Sequence, residues 1–219
     1  MAKYDMSSEA VRHFGPRCVR NNRVDLRVLE FVNQEAPIRV LAISGSLRVE
    51  SSNSALINAA LRLAPADVAV SIYVGLSTLP PFNPDHDIEH APAAVTHLRS
   101  EVQAHDAVLI SSPEYAHGAP GVLKNALDWL VSSGELIDKP VALVNASARA
   151  THAWNALAET LAVMSARVVP DASITVPLDG RRLDPDGIVA DAAVSSALKS
   201  VLAAVAAASR ETRTSHHCD

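Results

Sequence analysis

Short, nearly unbroken apolar runs at Ile38–Ile43, Ala107–Ser111 and Val141–Asn145 constrain this chain more than any other feature. A strand with one face in water alternates apolar and polar residues, whereas a strand covered on both faces is apolar throughout. Each run is followed by a loop and then by a segment of helical period. Leu56, Ala59, Ala60 and Leu63 mark a helix over Ala55–Leu63. Further helices are expected at Ala93–Gln103, Gly121–Val131 and Trp154–Ala166. Val68–Val74 supplies another strand, and Arg167–Val176 a last one, broken by Pro170. An Ala-rich helix at about Val189–Ser209 closes the pattern. Strand and helix in alternation build a parallel sheet through right-handed crossovers. The expected fold class is α/β: a doubly wound, five-stranded parallel sheet in the order 2-1-3-4-5. In that order, ligands bind outside the carboxyl ends of the first and third strands.

Residues 1–36 stand outside this alternation. Gly15-Pro16 and Asn21-Asn22 interrupt them. They read as an N-terminal arm, either ordered against a partner subunit or a poorly ordered leader. One domain is expected over 37–209, with a tail at 210–219. Hydrophobic residues at 48% are ample for a core in 219 residues, and aromatics at 4% leave it to Ala, Val and Leu. The balance of 19 basic against 24 acidic residues shows no basic face. Nucleic acid, which demands clustered Lys and Arg, is therefore not an expected partner. No stretch of about 18 uninterrupted apolar residues suggests a membrane span, and the start lacks an apolar secretory core. Cys18 and Cys218 lie near opposite ends and outside any CxxC spacing, which fits a reducing compartment. The expectation is a cytoplasmic protein.

The two richest loops sit at the ends of the first and third strands. The first, Ser44 to Ser54, reads SGSLRVESSNS. Backbone N–H groups at a helix start attract an anion. Hydroxyls add donors, and Arg48 can hold a phosphate in a bidentate grip. One N-cap explains Asn53 or Ser52, but not the whole cluster. The loop lacks both the Gly-Lys-Ser/Thr of a Walker A sequence and the GxGxxG fingerprint, so a mononucleotide phosphate fits better than a dinucleotide. The second loop opens SSPEYAHGAPGVLKNALDW, Ser111 to Trp129. Pro113 fixes a backbone angle and Tyr115 offers a flat face. Gly118 and Gly121 permit close backbone approach, and Pro120 stands where a helix begins. Such a loop suits a planar ligand.

GSLRxxSxN after the first strand, paired with SPEYxxxxPGxLKNAxDW after the third, resembles the NADPH-dependent FMN reductase family. That family includes quinone and chromate reductases of flavodoxin-like fold, and the resemblance covers roughly residues 38–180. It implies FMN as cofactor, with NADPH or NADH as donor. It implies that Ser46, Arg48, Ser51 and Asn53 hold the phosphate, with Ser52 in the same cofactor-binding set. Pro113, Glu114 and Tyr115 would line the isoalloxazine, with Ala116 and His117 at its edge, and Ser147 would reach it from the loop after the fourth strand. Backbone N–H groups of the Pro113–His117 loop could bond the ring's polar edge. Two departures stand out. Ala116 replaces an Asn frequent in the family, which removes a side-chain hydrogen bond. The loop after the fourth strand, ASARATHAW (Ala146–Trp154), has no glycine where the family often does. Backbone approach is then less close, and Arg149 and His152 either meet a substrate anion or are solvated.

The implied function is an FMN-dependent oxidoreductase that moves hydride from NAD(P)H through bound flavin to a quinone, flavin, azo or metal-oxyanion acceptor. Positioning carries such a reaction, so no catalytic side chain is named. A small-molecule electron acceptor and a homodimer or homotetramer are the implied partners. The alternatives are a flavodoxin-like FMN electron carrier, or a flavin-binding regulatory protein without nicotinamide turnover. Other segments read more plainly. Asn83–His90 carries metal-ligand residue types without strict spacing and reads as a solvated acidic loop. Lys124 and Asp128 suit a surface ion pair, Trp129 a packing anchor, and His117 a loop-shaping residue rather than a proton donor.

Overall fold

The structure, a computed structural model, describes residues 36–87, 91–178, 181 and 183–215. Residues 1–35 of the expected arm, both cysteines, Ile88–His90 of the acidic segment and the end of the tail lie outside the described residues.

The strands are β1 (Ile38–Ser44), β2 (Val68–Tyr73), β3 (Ala107–Ser111), β4 (Pro140–Asn145), β5 (Arg167–Val168) and β6 (Ile174–Thr175). They form one parallel sheet in the order β2-β1-β3-β4-β5, with β6 also paired to β4. The order is the expected one, but the strand count is six rather than five. Pro170 has no N–H for the ladder. The chain turns through Pro170–Ala172 and returns to β4, where Ile174 lies opposite Val144 and Thr175 opposite Asn145. Register puts Ser44 of β1 beside Ser111 of β3, so the two loops of interest leave the sheet at the same level.

The helices are α1 (Ser52–Leu63), α2 (Ala93–Ala104), α3 (Gly121–Asp128), α4 (Thr151–Val163), α5 (Pro185–Ala190) and α6 (Ala192–Ser215). Alternate strand residues feed two cores. Val40, Ala42, Leu109, Ala142 and Val144 pack with α1 and α6 on one side. Leu41, Ile43, Val108, Ile110, Val141 and Leu143 pack with α2, α3 and α4 on the other. Both faces of the central strands are covered, which is why their sequences show no alternation.

Several helix boundaries differ from expectation. The helix α1 begins at Ser52 rather than Ala55, because the Ser51 hydroxyl accepts from the Ser54 N–H and caps it. The closing helix is divided. Asp191 ends α5 in extended backbone, and its carboxylate then caps α6 by accepting from the N–H groups of Ala193 and Val194. Beyond Ser209, α6 continues to Ser215 because Arg210 pairs with Asp67, Glu211 with Arg167 and Arg213 with Asp106. By length and composition α6 could cross a membrane. In this fold its Val194, Leu198, Val201, Leu202 and Val205 are buried in the core.

Candidate functional site

The loop from β1 to α1 is ordered by its own hydroxyls. Ser44 Oγ lies 2.9 Å from Ser54 Oγ and accepts from the Ser46 N–H, while Ser46 Oγ accepts from the Arg48 N–H. Asn53 is buried and its side-chain oxygen accepts from the Ser111 hydroxyl at 3.0 Å, which ties the start of α1 to the end of β3. A Cβ on Gly45 would stand 2.8 Å from Ser112 Oγ, so glycine lets this loop lie directly on the next strand's exit. The Ser52 and Asn53 N–H groups, in the first turn of α1, have no partner among the described residues. Arg48 is exposed, and its guanidinium likewise has no partner among the described residues. Unpaired N–H groups at a helix start favour an anion, and Arg48 lies earlier on the same loop.

The loop after β3 folds back as a two-residue hairpin. Tyr115 and Gly118 exchange both backbone hydrogen bonds at 2.9 Å. The two residues between them, Ala116 and His117, have φ of 48° and 61°. Positive φ at both central positions is the type I′ pattern, which Asn and Gly tolerate better than alanine. The Tyr115 N–H is engaged within the hairpin, so it is not among the donors that this loop offers to a ligand. Glu114 reaches the other way. Its carboxylate accepts from the Ala153 N–H at 2.9 Å and caps α4, whose own N-cap residue, Ala150, has no side chain able to do so. This remote cap explains why α4 starts at Thr151, ahead of the expected Trp154. Just outside, the His117 and His152 rings stack at 4.3 Å between centroids and 14° between planes.

The loop after β4 is organised by the buried Asn145. Its amide donates to the Ala150 carbonyl and accepts from the Ser147 N–H, both at 3.0 Å. The three loops enclose a cavity of about 540 Å³ at the carboxyl ends of β1, β3 and β4. Of the residues singled out in the sequence, Ser52, Asn53, Pro113, Glu114 and Ser147 line it. Ser46, Arg48, Ser51, Tyr115, Ala116 and His117 do not; the first three shape or flank the α1 loop, and the others form the hairpin. Arg149 lines the wall, as do several residues that sequence reasoning missed: Ser112, Asn145, Leu178 and Arg181. An amide at the end of an apolar strand was a legible signal for Asn145. Arg181 carried none, since it reaches the site only through the pairing of β6 with β4. Arg181 also pairs with Asp191 and holds that carboxyl below its usual range.

The remaining motif residues are structural. Asn125 and Trp129 of α3 and its C-cap both donate to the Pro80 carbonyl at 2.9 Å, and Asn125 accepts from the Phe82 N–H. Phe82 meets Trp129 edge to face. These contacts fasten the proline-rich loop. Lys124 and Asp128 form the expected surface pair. Within the acidic segment, Asp87 is bound to Arg99, which also donates to the Trp129 carbonyl. Burial pushes the Asp87 carboxyl up, but hydrogen bonds from Ser132 and Arg99 outweigh it and hold it below the ordinary range. Among the described residues no three His, Cys, Asp or Glu converge as a metal site.

The residues fit a flavin mononucleotide. Its phosphate matches the two unpaired N–H groups and the hydroxyls at the start of α1. Its flat ring matches a cavity within the usual ligand-site range of about 300–1,000 Å³, walled by Pro113 and Glu114. The comparisons point the same way. The family model of NADPH-dependent FMN reductases matches residues 38–180. An NAD(P)H-dependent FMN reductase of Pseudomonas aeruginosa is 41% identical over 113 residues, which span 51% of this chain and 60% of that relative. A protein of Oryza sativa named "Probable NADPH:quinone oxidoreductase 2" is 31% identical over 75% of this chain and 85% of its own. The fold is similar to that of FerB, a flavoenzyme NAD(P)H:(acceptor) oxidoreductase from Paracoccus denitrificans. The TM-score is 0.64, at 25% identity over 80% of this chain and 98% of that one.

Proposed function

The chain belongs to the NADPH-dependent FMN reductase family, and on that premise we propose that it is an FMN-dependent oxidoreductase working between NADPH or NADH and a small-molecule acceptor such as a quinone. One observation carries this reading: a single cavity joins the anion-accepting start of α1 to the wall formed by Pro113 and Glu114. Bound FMN would supply the hydride chemistry, taking a hydride from the nicotinamide and passing it on.

The chain's residues bind and orient. The Ser52 and Asn53 N–H groups, with Arg48 and the hydroxyls of Ser46 and Ser51, hold the phosphate. Pro113, Glu114 and the hairpin of Tyr115, Ala116 and His117 define one side of the ring site, and Ser147 approaches from the β4 loop. Arg149 and Arg181 stand on the cavity wall, Arg181 in an ion pair with Asp191. Proximity and orientation carry the rate, and no side chain is assigned as acid or base. The half-exposed Tyr115 and Phe82 support a homodimer or homotetramer, and the cysteine usage supports a cytoplasmic setting.

The deciding experiment is an anaerobic titration of the purified chain with FMN, followed by NADPH or NADH and then a quinone. Flavin binding, bleaching by nicotinamide and reoxidation by quinone support the proposal. Binding without bleaching makes the chain an electron carrier, and refusal of FMN overturns the reading.

A further inference from the structure

Arg181 belongs to neither loop motif, yet it stands on the cavity wall. Two ties hold it there. Its N–H donates to the Leu178 carbonyl at 2.8 Å, and the Leu178 N–H donates to the Ala146 carbonyl at 2.9 Å, so this backbone is fastened to the exit of β4. Its Nη2 donates to one oxygen of Asp191. The other oxygen of Asp191 accepts from the N–H groups of Ala193 and Val194 and caps α6. One carboxylate therefore holds the guanidinium and a helix start together. A guanidinium carries five N–H donors in a planar fork. Only Nη2 is engaged among the described residues, which leaves Nε and Nη1 as donors for an oxyanion. An ion pair as exposed as this one contributes little by itself, so a phosphate dianion is able to compete with Asp191 for the same guanidinium.

The setting favours phosphate. Helix α5 packs on α1: Ile188 joins Leu56, Ala59 and Ala60 in one core, and Asp186 pairs with Arg62. The α5–α6 junction that carries Asp191 is therefore on the α1 side of the sheet. There Ser52 and Asn53, with their unpaired N–H groups, line the same cavity as Arg181. Of the carboxylates near it, Asp191 is shared with the start of α6, and Glu114 on the same wall is bound to the Ala153 N–H. We propose that Arg181 is a phosphate-binding residue of this cavity, held ready on Asp191, and that its ligand is a phosphate monoester. Two sources share that chemistry: the phosphate of FMN, and the additional phosphate by which NADPH differs from NADH. The proposal rests on the flavin-site reading for the identity of these ligands, and goes beyond it in assigning a residue outside both loop motifs.

The test is equilibrium binding to wild type, Arg181→Ala and Arg181→Lys. The flavin-free chain is titrated by flavin fluorescence with FMN and with riboflavin, which lacks the phosphate. The flavin-loaded chain is titrated by calorimetry with NADP+ and with NAD+. Loss of a hydrogen bond to a charged group should weaken FMN or NADP+ in Arg181→Ala by about tenfold or more, while the matching phosphate-free ligand, riboflavin or NAD+, binds unchanged. Arg181→Lys keeps the charge without the fork and should fall between. The arm that responds identifies the source of the phosphate. Equal affinity of wild type and Arg181→Ala for both FMN and NADP+ overturns the proposal and leaves Arg181 as the partner of Asp191 alone. Equal weakening of a phosphate ligand and its phosphate-free counterpart overturns it too, being the mark of a disordered wall. A wild type that refuses FMN and riboflavin alike defeats the flavin reading, and NADP+ against NAD+ on the flavin-free chain then decides Arg181; refusal of NADP+ as well overturns both.

Discussion

Glu114 accepts a hydrogen bond from the backbone N–H of Ala153 at 2.9 Å, so the loop after one strand caps the helix after the next. The carboxylate thereby does two things at once: it fixes its own loop against the cavity and starts α4. Replacing it with alanine removes a cap worth about 1 kcal/mol and a favourable charge at the helix start worth about 0.3–1 kcal/mol. For a domain of this size each kcal/mol lowers the melting temperature by about 2–4 °C. Calorimetry should show Glu114→Ala melting several degrees lower, with Glu114→Gln intermediate because it keeps an acceptor without the charge. An unchanged melting temperature in Glu114→Ala would mean that the bond contributes nothing to stability.

Ala116 occupies left-handed backbone at φ 48°. An L-residue with a Cβ is strained there by about 1–2 kcal/mol, and Asn is among the few that tolerate it. The family's frequent Asn at this point thus suits the turn's backbone as well as offering a side-chain hydrogen bond. Ala116→Asn should raise stability by about 0.5–1 kcal/mol, while β-branched Ala116→Val should lower it. Urea denaturation of the three proteins decides the matter. A Val variant as stable as wild type would show that the turn opens without cost.

The central strands were legible because burial on both faces removes alternation from β1, β3 and β4, and their regular alternation with helical segments pointed to the sheet's order. The division of the last strand was half legible: Pro170 marked the break, but only pairing with β4 shows where the chain returns. The start of α4 was hidden, since its cap comes from Glu114, 39 residues away. The two loop motifs identified which strand ends matter. They could not separate residues that line the cavity, such as Asn53 and Pro113, from those that shape the loops, such as Ser46 and Ser51. Trp129 was read as a packing anchor and is one, but nothing in the motif revealed that Asn125 beside it fastens Pro80 as well. Motif membership reports that a residue matters without reporting to what.

Arg48 stands exposed at the tip of the α1 loop without a partner among the described residues. A long cation without a partner among the described residues, on the loop that leads into the two unpaired N–H groups, is able to swing onto an anion held there. A hydrogen bond to a charged group contributes about 1.5–3 kcal/mol, so Arg48→Ala should weaken FMN binding by about tenfold to hundredfold. Riboflavin, which lacks the phosphate, should bind wild type and variant equally. Fluorescence titration with both ligands separates a phosphate contact from a general loss of loop order, which would weaken both.

At the opposite end of the sheet, Asp106 gathers the Arg39 N–H at 2.7 Å and the Arg213 guanidinium at 2.6 Å. Burial pushes its carboxyl up, but the hydrogen bonds and charges of Arg213 and Arg39 prevail and hold it below the ordinary carboxylate range. A group lowered on folding stabilises the fold above its unfolded value, about 3.9 for Asp, and that contribution is lost as pH falls through the folded value. In Arg213→Ala the burial remains while its main counterweight is gone, so the carboxyl rises. Urea denaturation should find the variant less stable than wild type near neutrality, with the gap narrowing below about pH 4 as Asp106 protonates in both. A gap that stays constant with pH would place the effect of Arg213 in its packing at the end of α6, rather than in its charge on Asp106.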